Sequence, residues 1–188
     1  MGRVPQSVRA LFDAILVMEK LTKSEIGNNR LRQIHLVDVD NLTGGPTKDP
    51  FIHRQVREWY DFHSDRQERD LCFVAASHYS AFSATKAWAG AKMIWASGVD
   101  GADLALIRIV EETSFLNIRR VCLGSGDWIF KFAFSPFLKI DVNLAICCRE
   151  DSFSKSLHRF TDDVTFLSPI SGDNFVVSPP KNVSLAFT

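Results

Sequence analysis

IHLVDVDNL (34–42) decides how the rest of the chain is read. Ile34 to Val37 is apolar apart from one histidine, without the polar alternation of a one-sided strand, and this marks a strand covered on both faces, as in a parallel sheet. The run stops at Asp38, and an acid closing a buried apolar strand is a costly place for charge. Further runs of the same kind follow at 71–76 (LCFVAA), 91–96 (AKMIWA), 118–124 (IRRVCLG), 141–147 (DVNLAIC) and 164–167 (VTFL). Between the first two, 51–62 places Phe51, Val56, Trp59 and Tyr60 on one helical face. The stretches 80–88, 102–112, 128–137 and 152–160 also read as helices. Strand and helix in alternation give a doubly wound α/β domain, its sheet mainly parallel and flanked by helices on both faces.

Outside that unit, 7–22 (SVRALFDAILVMEKLT) carries Val8, Leu11, Phe12, Ile15 and Met18 at helical spacing. The expected organisation is therefore an N-terminal helix and polar connector over 1–33, the α/β domain over 34–168, and a tail or edge strand over 169–188. The apolar face of the first helix offers a surface on which a second copy can dock, giving a homodimer. A chain of 188 residues suits one core. With 46% apolar and 23% charged residues it belongs with globular proteins. Net charge is 0, so there is no basic footprint of an avid, non-specific nucleic-acid binder. Cys72, Cys122, Cys147 and Cys148 form no CxxC pair and read as small buried hydrophobes in a reducing compartment. The apolar stretch from Ala14 to Met18 is too brief to span a bilayer, and the expectation is a cytoplasmic protein with no membrane partner.

The acids recur where strands end. Asp38 closes the first strand; SGVDGAD (97–103) brings Asp100 and Asp103 to the start of a helix; VCLGSGD (121–127) ends at Asp127. In a parallel sheet all carboxyl ends share one edge, so acids remote in sequence converge there. Their mutual repulsion calls for a cation, and hard oxygen ligands favour Mg²⁺ or Mn²⁺. Each acid also has a plainer use. Asp100 and Asp127 fit as helix N-caps, and Asp103 fits in a first helical turn near the positive end of the dipole.

HLVDVDNL (35–42), GVDGADLAL (98–106) and GSGDWIF (124–130) together resemble the three ordered motifs of NYN domains, a branch of the PIN-like nucleases. The stretch 142–167 is similar to the terminal strand–loop–helix–strand of bacterial NYN-like proteins, so the resemblance covers about 34–168. It implies a PIN-like fold and a ribonuclease dependent on Mg²⁺ or Mn²⁺ that hydrolyses RNA to 5′-phosphate and 3′-hydroxyl ends. Asp38, Asp103 and Asp127 match the family's metal-binding, catalytic acids, and Asn41 the asparagine of its D-x-x-N signature. Ile129 departs from the pattern, standing where many NYN domains carry a second acid; Asp100 or Asp40 is the available replacement. Ser125 and Trp128, beside Asp127, join Asn41 as candidate substrate contacts, Trp128 as a surface for stacking bases. Arg54, Arg57, Lys86, Lys92, Lys131 and Lys139 are candidates for steering phosphate. Two other functions fit. One is a catalytically weak or inactive NYN-fold module that binds RNA or protein. The other is a phosphohydrolase of the haloacid-dehalogenase type, with Asp38 as nucleophile and Asp40 as acid.

Overall fold

In a computed structural model of the chain, residues 32–113, 118–139 and 142–167 are described. The chain divides between Leu31 and Arg32 into two units, and the described residues all lie in the second. The expected N-terminal helix and the C-terminal tail or edge strand lie outside the described residues.

Six strands form the sheet: Arg32–Asp38 (β1), Leu71–Ala76 (β2), Lys92–Trp95 (β3), Ile118–Gly124 (β4), Asn143–Arg149 (β5) and Val164–Leu167 (β6). Their order is β3-β2-β1-β4-β5-β6 and every pairing is parallel. The expected "mainly parallel" sheet is thus wholly parallel among the described residues. Helices Val39–Thr43 (α1), Pro50–Ser64 (α2), Ala81–Ala87 (α3), Gly101–Glu112 (α4) and Lys131–Phe134 (α5) connect the strands together with short 3₁₀ turns.

Side chains alternate across a strand, and the two faces separate accordingly. Val37, Cys72, Val74, Cys122 and Cys147 pack with Val56, Trp59 and Tyr60 of α2 and with Ala84, Ala87 and Trp88 from α3 and its end. α4 contacts β1, β2 and β3 and buries Leu106, Ile107 and Val110, which are not part of that cluster. It therefore covers the opposite face, where Leu36, Phe73 and Leu123 are buried. All four cysteines are free and buried, and burial pushes the thiols of Cys72, Cys122 and Cys148 up to about 12, so they stay protonated. On the α2 face, Tyr60 donates its hydroxyl to the Cys122 carbonyl at 3.3 Å and meets His35 Nδ1 at 3.1 Å, satisfying polar atoms the core would otherwise strand.

Local chemistry sets the boundaries. α2 starts where Asp49 accepts the Phe51 N–H at 2.8 Å with Pro50 in the first turn, and it stops at Asp65 in the left-handed region. β5 is shifted two residues from the expected 141–147: its pairing with β4 begins at Asn143, opposite Arg120, and its pairing with β6 carries it to Arg149, opposite Leu167. Two expected helices differ. The stretch 128–137 is a 3₁₀ turn, one turn of α-helix (α5) and a second 3₁₀ turn over Ser135–Lys139 containing Pro136. The stretch 152–160 is two 3₁₀ turns, Glu150–Ser152 and Lys155–Arg159, among serines and an aspartate that compete for backbone hydrogen bonds.

Candidate active site

Strand order turns back on itself between β1 and β4, and the crevice beyond their carboxyl ends is where open parallel sheets bind ligands. Val37 pairs with Gly124, so Asp38 and the Ser125-Gly126-Asp127 loop leave the sheet side by side. Instead of continuing into a loop, the chain after Asp38 turns at once into α1. Asp38 caps that helix, its Oδ1 accepting the N–H groups of Asp40 at 3.0 Å and Asn41 at 3.2 Å. One turn with a β-branched first residue carries too little periodicity to be seen in sequence.

Asp103 lies in the first turn of α4. Its carboxyl group lies against that of Asp38, close enough for the two to share a proton. Both are buried, at 6% and 7% exposure. Burial pushes Asp38 up to about 6, against the pull of the Asn41 N–H. Asp103 rises to about 8, through burial first, then the Asp38 charge and hydrogen bond, then the charges of Asp127 and Asp100. Asp103 Oδ1 and Asp40 Oδ1 are buried with no hydrogen-bond partner.

The remaining candidates are placed unequally. Asp127 is within charge range of Asp103, but its Oδ1 accepts the Ile129 N–H at 3.1 Å and caps the following 3₁₀ turn. Asp100 is exposed, in the left-handed region at φ 55°, and makes no side-chain cap bond, so the N-cap expected of it is not formed. Asp40 is half-buried; its Oδ2 accepts the Ser77 N–H at 2.7 Å and fastens the loop after β2. Ser125 is fully buried and accepts the Asp127 N–H at 3.3 Å, so it shapes the loop from within. Trp128 is half exposed. Trp59 and Trp88 are buried, whereas Trp95, on the edge strand β3, is 54% exposed.

Asn41 has a role its motif position did not announce. Its Oδ1 accepts the Gly126 N–H at 3.3 Å and the Ser152 hydroxyl at 3.1 Å, tying together the loops after β1, β4 and β5. Gly126 lets them close. A Cβ there would lie 2.6 Å from the Ser152 carbonyl oxygen and 2.9 Å from Phe153 Cα, both backbone. Gly126→Ala is therefore expected to lower stability by about 1–3 kcal/mol through overpacking, seen as a lower urea midpoint with unchanged m-value.

The same loops enclose an open cleft of about 400 Å³ lined by Asp38, Asp40, Asn41, Arg149 and Ser152, among others. Arg149, at the end of β5, is the one cation lining it among the described residues. Its guanidinium forks onto Asp151, with Nε at 2.9 Å from Oδ1 and Nη2 on Oδ2. It lies over Gly44, whose φ of 79° and lack of a side chain the contact requires. Sequence pattern missed this residue, because the strand expected to end at Cys147 is carried on to Arg149 by the fold.

The chain matches no family model, no curated protein and no solved structure. Among the described residues no three His, Cys, Asp or Glu side chains are gathered closely enough, as they stand, to hold a metal ion. The expected three-acid cluster is a contacting pair, Asp38 and Asp103, with Asp127 at the distance of charge interaction. The donor chemistry would suit a hard cation: the side chains brought together are carboxylates, and Asp103 Oδ1 lacks any partner. No described helix is long and apolar enough to cross a membrane.

Proposed function

We propose that this domain is a ribonuclease of the PIN-like, NYN type that hydrolyses RNA phosphodiesters with Mg²⁺ or Mn²⁺. The observation that carries the reading is the buried Asp38–Asp103 pair, a double carboxyl site at the β1/β4 crevice with an unsatisfied oxygen. A structural role explains Asp38 as a cap but gives Asp103 only the helix dipole, a small return for burying an acid against a second carboxyl.

Asp38 and Asp103 would hold the cation, with Asp127 joining by rotation of its side chain away from the Ile129 N–H. When bound, such a cation acidifies water and offsets charge on the phosphodiester. The rest is done by the chain itself. Asp38 is fixed by two backbone N–H groups, so its orientation is set before substrate arrives. Asn41 uses its Oδ1 on the two loops, which leaves its NH₂ to donate to a phosphate oxygen. Arg149 supplies the positive charge of the cleft and binds phosphate in competition with Asp151. Ile129 leaves no second acid on the 3₁₀ turn, and Asp100, exposed beside Asp103, is the nearest spare carboxylate.

The phosphohydrolase alternative has less support, because Asp40 is committed through Oδ2 to the Ser77 N–H and is poorly free to act as an acid. The binding-module alternative differs only in turnover. Both are separated by incubating single-stranded RNA with the full chain in Mn²⁺ or in EDTA. The expected result is cleavage in Mn²⁺ alone, at least ~100-fold slower in Asp127→Asn, whose amide still caps the turn, and with KM raised roughly tenfold in Arg149→Ala. Binding of RNA and of Mn²⁺ without cleavage would leave the module; cleavage unchanged in Asp127→Asn would remove that residue from the site.

A further inference from the structure

The segment after Asp127 turns two kinds of aromatic ring in opposite directions. Phe130, Phe134 and Phe137 are buried, whereas Trp128 and Phe132 are 50% and 62% exposed. The two exposed rings meet edge to face, with centroids 6.0 Å apart and planes at 70°. The Lys131 ammonium lies 4.5 Å from the Trp128 centroid and 4.9 Å from that of Phe132. In the loop that Asp40 fastens after β2, at the same carboxyl edge of the sheet, exposed Tyr79 carries the Lys48 ammonium 4.5 Å from its centroid.

We infer that Trp128, Lys131 and Phe132 form a base-stacking subsite for single-stranded nucleic acid beside the acid pair, with Tyr79 and Lys48 a second stacking position at the same edge. The inference deepens the ribonuclease reading and rests on it for the placing of the scissile phosphate. Rings alone would suit any apolar partner; the ammonium group set on each ring selects for one. A single strand offers alternating flat bases and phosphates, and stacking with local positive charge is how such strands are held without a strongly basic surface. The overall neutrality of the chain fits this mode better than duplex binding, which depends on many phosphate contacts. Trp128 directly follows Asp127, so a base on its ring lies next to the acids.

The test is equilibrium binding of a short fluorescein-labelled oligouridylate to the full chain in EDTA, where cleavage cannot intervene, against the same strand annealed to oligoadenylate. The single strand is expected to bind at least several-fold more tightly than the duplex. Trp128→Ala should weaken single-strand binding by roughly tenfold or more, Trp128→Phe should retain most of it, and Lys131→Ala should flatten the salt dependence by about 0.7 in log–log slope. Absence of single-strand binding, no preference over duplex, or wild-type affinity in the Trp128→Ala/Phe132→Ala double variant would each overturn the inference. So would a self-associating chain that the double variant converts to monomer without altering oligonucleotide affinity, since the patch would then be a protein interface. Stacking with no Mn²⁺-dependent cleavage would sink the ribonuclease reading and leave this subsite standing. Cleavage with unchanged KM in the double variant would do the reverse.

Discussion

Asp103→Asn is expected to lower metal-dependent cleavage by at least ~10³-fold while raising the stability of the metal-free protein at pH 8 by about 1–3 kcal/mol. The first effect follows if Asp103 is one of the carboxylates that hold the proposed cation, whose contribution to such reactions is several kcal/mol. The second follows from the same geometry. A buried Asp103 carboxylate faces Asp38 and feels Asp127 and Asp100, and a neutral amide relieves all three repulsions and can donate to Asp38. Loss of function with gain of stability is the signature of a site rather than a support. Activity assays paired with urea denaturation in EDTA would check it, and a variant that loses both would assign Asp103 to structure alone.

The second large effect is a pH-dependent stability that a divalent cation abolishes. Asp38 and Asp103 sit at about 6 and about 8 in the folded protein, above the ordinary carboxyl value of 3.8. The folded chain therefore holds protons that the unfolded chain has released, and stability falls wherever the native state binds more protons. The stabilisation is fully present below 3.8 and disappears as pH climbs through about 6 and then about 8. Because Asp38 lines an open cleft, the loss is expected to be on the order of 2–4 kcal/mol between pH 5 and 8, less than the full shift would give. Manganese should restore stability at pH 8 and do little at pH 5, where protons already occupy the pair. Denaturation midpoints at the two pH values, with EDTA or Mn²⁺, would measure it. A flat profile in EDTA would mean that the two carboxyls do not share a buried site.

What the sequence disclosed and what it withheld divide along physical lines. β2, β4 and β6 match their expected bounds to the residue, and β2 and the second half of β4 are the continuous small-apolar runs that a doubly covered sheet calls for. The convergence of Asp38 with Asp103 is legible too, since parallel topology alone puts strand ends and helix starts on one edge. The state of Asp127 is not, because a cap and a ligand use the same side chain at the same position, and rotation of χ1 separates them. Neither is the pair of bonds that Asn41 Oδ1 accepts, whose partners Gly126 and Ser152 are set by loop packing rather than by any periodic pattern. α1 and the 3₁₀ turns are shorter than the repeat by which helices are recognised.

The Asn41 amide joins positions 85 and 111 residues apart. In a wholly parallel sheet each such link waits on crossovers, and non-local closures form slowly. Synthesis runs from the amino end, so the first acid emerges from the ribosome long before Ser152 exists to pin the loop that frames it. A nascent chain thus carries the ingredients of its site in an unassembled form, and the crevice acquires its shape only after most of the domain has left the tunnel.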